Sequence, residues 1–274
     1  MSAAVFDLSI LGPALIAGLL VVATHVPLGR EVLARGIIFI DLAVAQVAGL
    51  GVLAAHYFGD EPGTLAVQAA ALAAALVAAA VLNYTEKRWA EIQEALIGAL
   101  FVLAASGGIL LLAGNPHGGE HLRELLVGQI LWVSPQALTV TALIYAAMLA
   151  LWFGLRARLG TAGFYLLFAV TVTASVQLVG IYLVFATLIL PALAVRRQPH
   201  GKGLAWGYVV GIVGYVAGII VSAALDLPTG AVTVWTLALA AAVTAGLIKR
   251  EKHNKGHQKP YPSPHPSPTR GEGE

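Results

Sequence analysis

Apolar residues run through this chain in blocks, with short polar breaks between them. Each block is close to the roughly 20 residues that an α-helix needs to cross a ~30 Å hydrocarbon core. Upright spans are predicted near residues 8–26, 36–57, 64–84, 95–114, 130–155, 204–225 and 230–248. Between the fifth and sixth lies a 34-residue stretch, 162–195, without a charged side chain. It is too long for one upright span, and basic pairs bound it: Arg156 with Arg158 before, Arg196 with Arg197 after. Two short passes turning near Ser175–Gly180 return both ends to one side. The pattern predicts an all-α, polytopic transmembrane helix bundle of about nine passes, including a broken or re-entrant pair around 162–195.

Charge placement supports that count. With the N-terminus outside, Arg123 alone of the 16 Lys and Arg residues lies outside, as the positive-inside rule favours. Eight passes would scatter the bias. The first apolar block has no basic segment before it, so it reads as a span rather than a cleaved leader. From Lys249 the chain turns polar and Pro-rich. Residues 1–248 are therefore expected to form the membrane domain and 249–274 a disordered cytoplasmic tail.

Composition agrees. Of 274 residues, 58% are hydrophobic and 11% charged, with mean hydropathy +0.83. A soluble domain carries about a quarter charged residues. A soluble enzyme, a nucleic-acid-binding domain and a disordered protein are excluded on these grounds. With no cysteine there is no disulfide, thiolate metal site or cysteine nucleophile.

Candidate chemistry sits where polar groups enter apolar blocks. Asp41, in IDLAVAQVAGLGVLAAH, is the one acid deep in a span. Burying it is costly unless it is paired or lines a wet cavity. Gln46 follows five residues later and His56 stands near the outer end. At ~100° per residue, Asp41 and Gln46 lie about 140° apart on a helix, so they share no tight site without a kink or a second helix. Two readings of Asp41 stand side by side: the lining of an ion path, or an inner-end acid answering Arg35 or Arg30.

Gln68, Asn83 and Gln177 are the other deep polar side chains, and interhelical hydrogen bonding accounts for such groups. Gln177 stands out because it falls at the expected break, where free carbonyls and helix ends gather at transport sites. Gly203, Gly207, Gly211, Gly214 and Gly218 form a small-residue stripe, read as an intramolecular contact in preference to a subunit seam. His117 and His121, with Glu120 and Glu124, offer imidazole and carboxylate at helical spacing. The glycines after His117 start a helix too late for both, so a metal-free surface cluster is the favoured reading. The histidines of the tail are read as solvated.

Enzyme readings are weak. No GxxxxGK[ST] is present, and the fragment Gly201–Gly203 lacks the upstream glycine and the hydroxyl residue. Any ATP-driven role needs a separate ATPase. Asp41 has no second membrane carboxylate, and Ser106 has no partner because His25 and His56 are expected toward span ends.

Four segments carry a resemblance: EALIGALFVLAASGGILLL (94–112), LLVGQILWVS (125–134), VGIYLVFATLILPALAVRR (179–197) and LDLPTGAVTV (225–234). In order and spacing they resemble the integral-membrane permeases of ABC importers for zinc, manganese and related metals. The resemblance implies a permease subunit in the cell's inner (cytoplasmic) membrane, moving a divalent metal by alternating access. It also implies a second permease copy, a cytoplasmic ATP-binding subunit and an extracytoplasmic metal-binding protein as partners. On this reading the metal is cargo and the chain holds no cofactor. Asp41 and Gln46 become path-lining metal contacts, with His56, His117 and His121 weaker ones. Gln177, Gly180, Pro191, Asp226 and Pro228 become structural or gating positions, Pro191 in a short broken helix.

Two departures from the family pattern are visible. Where the family reads Gly-Asp-Ala-x-Ser-His-Ala, alignment on the following glycine puts Gln46 at the His position and Asp41 one residue early. The cytoplasmic loop before residue 162 is only RARLGTAG, so coupling to an ATPase either uses another loop, such as TEKRWAEIQE (85–94), or is altered. A permease carrying a non-metal solute, and a non-transporting membrane scaffold, remain as alternatives.

Overall fold

The computed structural model describes residues 8–59, 63–112 and 118–257, whose backbone is almost wholly helical. Nine helices follow in order: α1 (Leu8–Arg35), α2 (Ile40–Phe58), α3 (Thr64–Arg88), α4 (Gln93–Leu112), α5 (Gly118–Val127), α6 (Pro135–Val179), α7 (Ile181–Ala194), α8 (His200–Leu225) and α9 (Thr229–His257). Single 3₁₀ turns at Ala90–Ile92 and Ile130–Trp132 lead into α4 and α6. Among the described residues, eight helical segments are long and apolar enough to cross a membrane, and α7 is a shorter apolar helix. With α7 counted as a short pass, they agree roughly with the expected number of about nine.

Several boundaries differ from the pattern. α1 continues past residue 26 to Arg35, through Pro27. His25 therefore sits well inside a helix and is wholly buried, not at a span end. The first arm of α6 begins at Pro135, capped by the Ser134 hydroxyl, which accepts from the Ala137 N–H at 3.2 Å. The stretch expected as two short passes is one full span, Arg158–Val179, followed by the 14-residue α7. α9 runs on to His257, beyond the expected limit at 248; the rest of the tail lies outside the described residues.

α6 is broken at Gly160, whose φ of 56° and ψ of −167° suit only glycine. Its arms fold back on each other: the Tyr145 and Ser175 hydroxyls hydrogen-bond across the hairpin, and the Trp152 and Phe164 rings lie 6.2 Å apart. α1 is the hub, packed against α6, α7 and α8, while α2 packs on α3 and α4.

Small residues set the spacing. On α8, Gly203, Gly207 and Gly211 face Arg30, Val26 and Val22 of α1; Gly214 and Gly218 face Leu237 and Thr233 of α9. A Cβ on any of the five would come within 3.0 Å of its neighbour. The stripe is thus an intramolecular seam, as its spacing suggested. The alanine-rich α3 plays the same part beside α2, where Gly51 lies so close to Ala70 that a Cβ would sit 2.6 Å from its carbonyl oxygen.

A second close approach ties the broken region together. Gly128 (φ 71°) and Gly180 (φ 81°) meet backbone to backbone: a Cβ on Gly128 would lie 2.3 Å from Val179 C, and one on Gly180 2.4 Å from Gly128 N. Gly230, opening α9, presses on the Val127 carbonyl. The starts of α7 and α9 and the end of α5 are pinned at one point.

Candidate functional site

The site is best built along α2, because its two ends differ so much. Phe39, the residue before α2, has no side-chain acceptor, yet its N–H donates to Glu94 Oε1 at 3.2 Å. A carboxylate from α4 thus takes up one of the free donors that open every helix. Next to it, Gln93 is buried and donates from Nε2 to the Leu82 carbonyl at 3.0 Å and to Tyr165 Oη at 3.2 Å. The α3–α4 connection is thereby tied both to the start of α2 and to the second arm of α6.

Asp41 stands in the first turn of α2 with 1% of its surface exposed, and neither carboxylate oxygen has a hydrogen-bond partner. The basic residues that could have answered it are turned elsewhere. Arg35 Nε donates to Glu31 at 3.0 Å, and its guanidinium lies 4.2 Å from the Phe164 ring centroid. Arg30 Nη2 donates to the Gln198 carbonyl at 3.4 Å. The structural alternative for Asp41, an acid paired to Arg30 or Arg35, is not realised. The electrostatic neighbour of helpful sign to Asp41 is the positive end of the helix dipole, which offsets only part of the cost of burial.

Gln46 is half-buried on an unbroken stretch of α2, about 7.5 Å further along the axis and on a different side. His56, in the last turn, lies roughly 22 Å from Asp41 along the helix. These side chains do not converge. Among the described residues, no three His, Asp or Glu side chains gather in a group able to hold a metal.

At the His56 end a cavity of about 820 Å³ opens between the ends of α2, α3, α4, α5 and both arms of α6. His56, Gln68, Glu124, Gln129 and Gln177 supply its polar lining. Gln129 Nε2 donates to Glu124 Oε1 at 2.9 Å. A neighbouring cavity of about 630 Å³ shares Glu124, Gly128, Gln129 and Trp132 and reaches Pro228, Thr229 and Gly230. So His56 and Gln177, both candidates from the sequence, line one space with Gln68, expected as an interhelical hydrogen bond, and with Gln129, which no sequence pattern marks.

The remaining sequence candidates fall as follows. α5 begins at Gly118, so His117 lies outside the described residues and only the backbone of His121 is placed on that helix. Gly180 breaks the chain between α6 and α7 with φ 81°, and Pro191 is buried one turn before α7 ends. Proline cannot donate to the carbonyl four residues back, which accords with the helix stopping soon after. Asp226 caps α8 in the left-handed region, φ 53°, and Pro228 opens the turn into α9. Ser222 closes that turn, bonding the Leu227 carbonyl and the Thr229 hydroxyl, each at 2.6 Å.

Known proteins place this geometry in context. The ABC 3 transport family matches residues 7–159 and 149–247. The chain is similar to the manganese transport system membrane protein MntC of Halalkalibacterium halodurans, with 28% identity over 246 residues, covering 81% of this chain and 82% of that one. It is also similar to an uncharacterised membrane protein of Synechocystis sp., 27% identical over 250 residues, covering 83% and 86% of the two chains. Among solved structures it resembles PsaBC from Streptococcus pneumoniae in complex with Fab, with a TM-score of 0.74 at 21% identity over 94% of this chain and all of that one.

Proposed function

The chain belongs to the ABC 3 transport family, and from that premise we propose that it is the permease of an ATP-driven importer whose cargo is a divalent metal ion. The observation that carries the proposal is the Asp41 carboxylate, buried without a partner in a membrane helix whose other end opens into a polar cavity. A charge so placed is costly unless a cation passes it. The similarity to a manganese transport protein supports the same cargo class.

In this reading the cavity lies on the outer side and receives the ion from an extracytoplasmic binding protein. Asp41 lies toward the cytoplasm and Gln46 between them. ATP hydrolysis belongs to a separate cytoplasmic subunit, and a second permease copy completes the path. The short helix α7, with its glycine start and its proline, lets backbone move where the path closes. The N-terminus is outside and the C-terminus in the cytoplasm of a cell whose inner membrane holds the complex.

Radiolabelled manganese and zinc uptake by cells expressing Asp41→Asn tests this directly. Uptake should fall to background with normal amounts of protein in the membrane; uptake at the unmodified level removes Asp41 from the path. A second reading, a permease for a non-metal solute, is favoured by one observation: Gln46 supplies an amide where a metal path wants imidazole or carboxylate. Competition of unlabelled metals against non-metal solutes in the same assay separates the two.

A further inference from the structure

Among the described residues, two acidic, basic or imidazole side chains are fully buried: Asp41 and His25. The ion path as described uses only the first. His25 stands on α1, ten residues or about 15 Å from its Arg35 end and seventeen residues or about 25 Å from Leu8. That places the ring within the hydrocarbon zone, deeper than Asp41.

The imidazole is held in one posture. Nδ1 lies 3.0 Å from the Val21 carbonyl oxygen and 3.0 Å from Thr24 Oγ1. A carbonyl can only accept, so Nδ1 carries the proton and Nε2 presents a bare lone pair. That nitrogen is buried and has no hydrogen-bond partner. Imidazoles that ligate metals are oriented in just this way, one ring N–H given to a backbone carbonyl and the other nitrogen left for the ion. A histidine serving only to fill the core would find a partner for both nitrogens.

The surroundings are mostly apolar, with two hydroxyls among them. Thr24, beside His25, lines a small void with Thr171, whose hydroxyl is also buried without a partner. α2 has no histidine between Asp41 and His56, so the imidazole at this depth comes from α1.

We propose that His25 is an ion-ligating residue, its Nε2 receiving a zinc-class divalent cation in the middle of the membrane. Borderline cations of that class favour imidazole nitrogen over amide or hydroxyl oxygen. The assignment rests on the permease reading and narrows it by naming the kind of cation.

The test uses the full-length permease in lipid nanodiscs, loaded with zinc chloride alone and followed by X-ray absorption at the zinc edge, together with zinc uptake by cells. In a chain whose other seven histidines are changed to Gln, bound zinc should still show imidazole scattering. In His25→Gln that signature should vanish, zinc affinity should fall at least tenfold and uptake with it. Zinc bound without nitrogen scattering in the chain that keeps only His25 overturns the proposal, whatever the folding yield of His25→Gln. Normal uptake in His25→Gln alongside a dead Asp41→Asn overturns the His25 assignment and leaves the metal path standing. No metal uptake by the unmodified protein overturns both.

Discussion

The two ends of α2 make opposite use of polar side chains. At the His56 end, five polar groups from five parts of the chain face one open cavity, where water can solvate each of them. None is expensive to hold there. At the Asp41 end, a single carboxyl group is buried and neither of its oxygens has a hydrogen-bond partner. Nearby groups have partners of their own: Glu94 Oε1 takes the start of α2, Gln93 Nε2 reaches Tyr165, and Arg35 meets Glu31 and Phe164. The difference teaches that polarity alone does not mark the demanding step. A wet, many-membered lining suits the capture and release of an ion. One unpaired charge in a dry, braced setting suits a step at which the ion itself supplies the missing charge.

The sharpest way to break that comparison is to replace each end by leucine. Asp41→Leu should abolish uptake and at the same time stabilise the protein by about 2 kcal/mol, because a lone charge is removed from the membrane interior. A thermal unfolding scan in detergent and a metal uptake assay read the two effects. A destabilised Asp41→Leu would mean that the carboxylate has a structural partner. His56→Leu should leave the unfolding midpoint within a degree or two.

Next in size is the pinned junction that holds the broken region below the cavity. Gly180→Ala requires a side chain at φ 81° and against the peptide of Gly128. A cost of about 3 kcal/mol or more is expected from strain and clash together, seen as a lower midpoint and reduced yield. Gly160→Ala meets a similar torsional penalty but no neighbour within 4 Å, so its loss should be clearly smaller.

A smaller effect should follow from Glu94→Ala. The Phe39 N–H loses its acceptor, at a cost of about 1 kcal/mol typical of a helix cap. If the bracing of α2 matters for Asp41, uptake should fall several-fold while Glu94→Gln, which keeps an acceptor, recovers most of it. Equal uptake in the two variants would show that the dry end does not need its brace. The smallest change is expected at the wet end, where His56→Gln keeps a polar group in the cavity and should alter apparent affinity no more than a few-fold.

Much of this arrangement was readable before the fold was known. The number of passes follows from block length and from charges that cannot cross a bilayer. The break at Gly180 and the shortness of α7 follow from one glycine and one proline. The four motif segments pointed to the family that residues 7–159 and 149–247 match. The stripe on α8 was legible as a close contact from spacing alone. The start of α6 at Pro135 is not legible, because apolar residues precede it without a clear break; nor is the run of α9 to His257, because the polar segment from Lys249 ends the apolar pattern while the helix continues through it. The extension of α1 is not legible either: Pro27 and Arg30 look like an ending, and the helix continues because its far end packs against α7 and α8.

What the chain determined by itself is therefore local or additive: which segments are apolar, how long they are, where they break and which charges stay outside the lipid. Transfer of a side chain into hydrocarbon depends on its own chemistry, so such features can be read residue by residue. What only the tertiary structure decided is partnership. Asp41 is unpaired because Arg35 finds Glu31 and Phe164; His25 has one satisfied nitrogen and one bare; Gln177, Gln68 and Gln129 share a cavity with His56. Each depends on which distant helix lies alongside. In a membrane that choice rests on close packing of small residues rather than on hydrophobicity, a signal the apolar pattern does not carry.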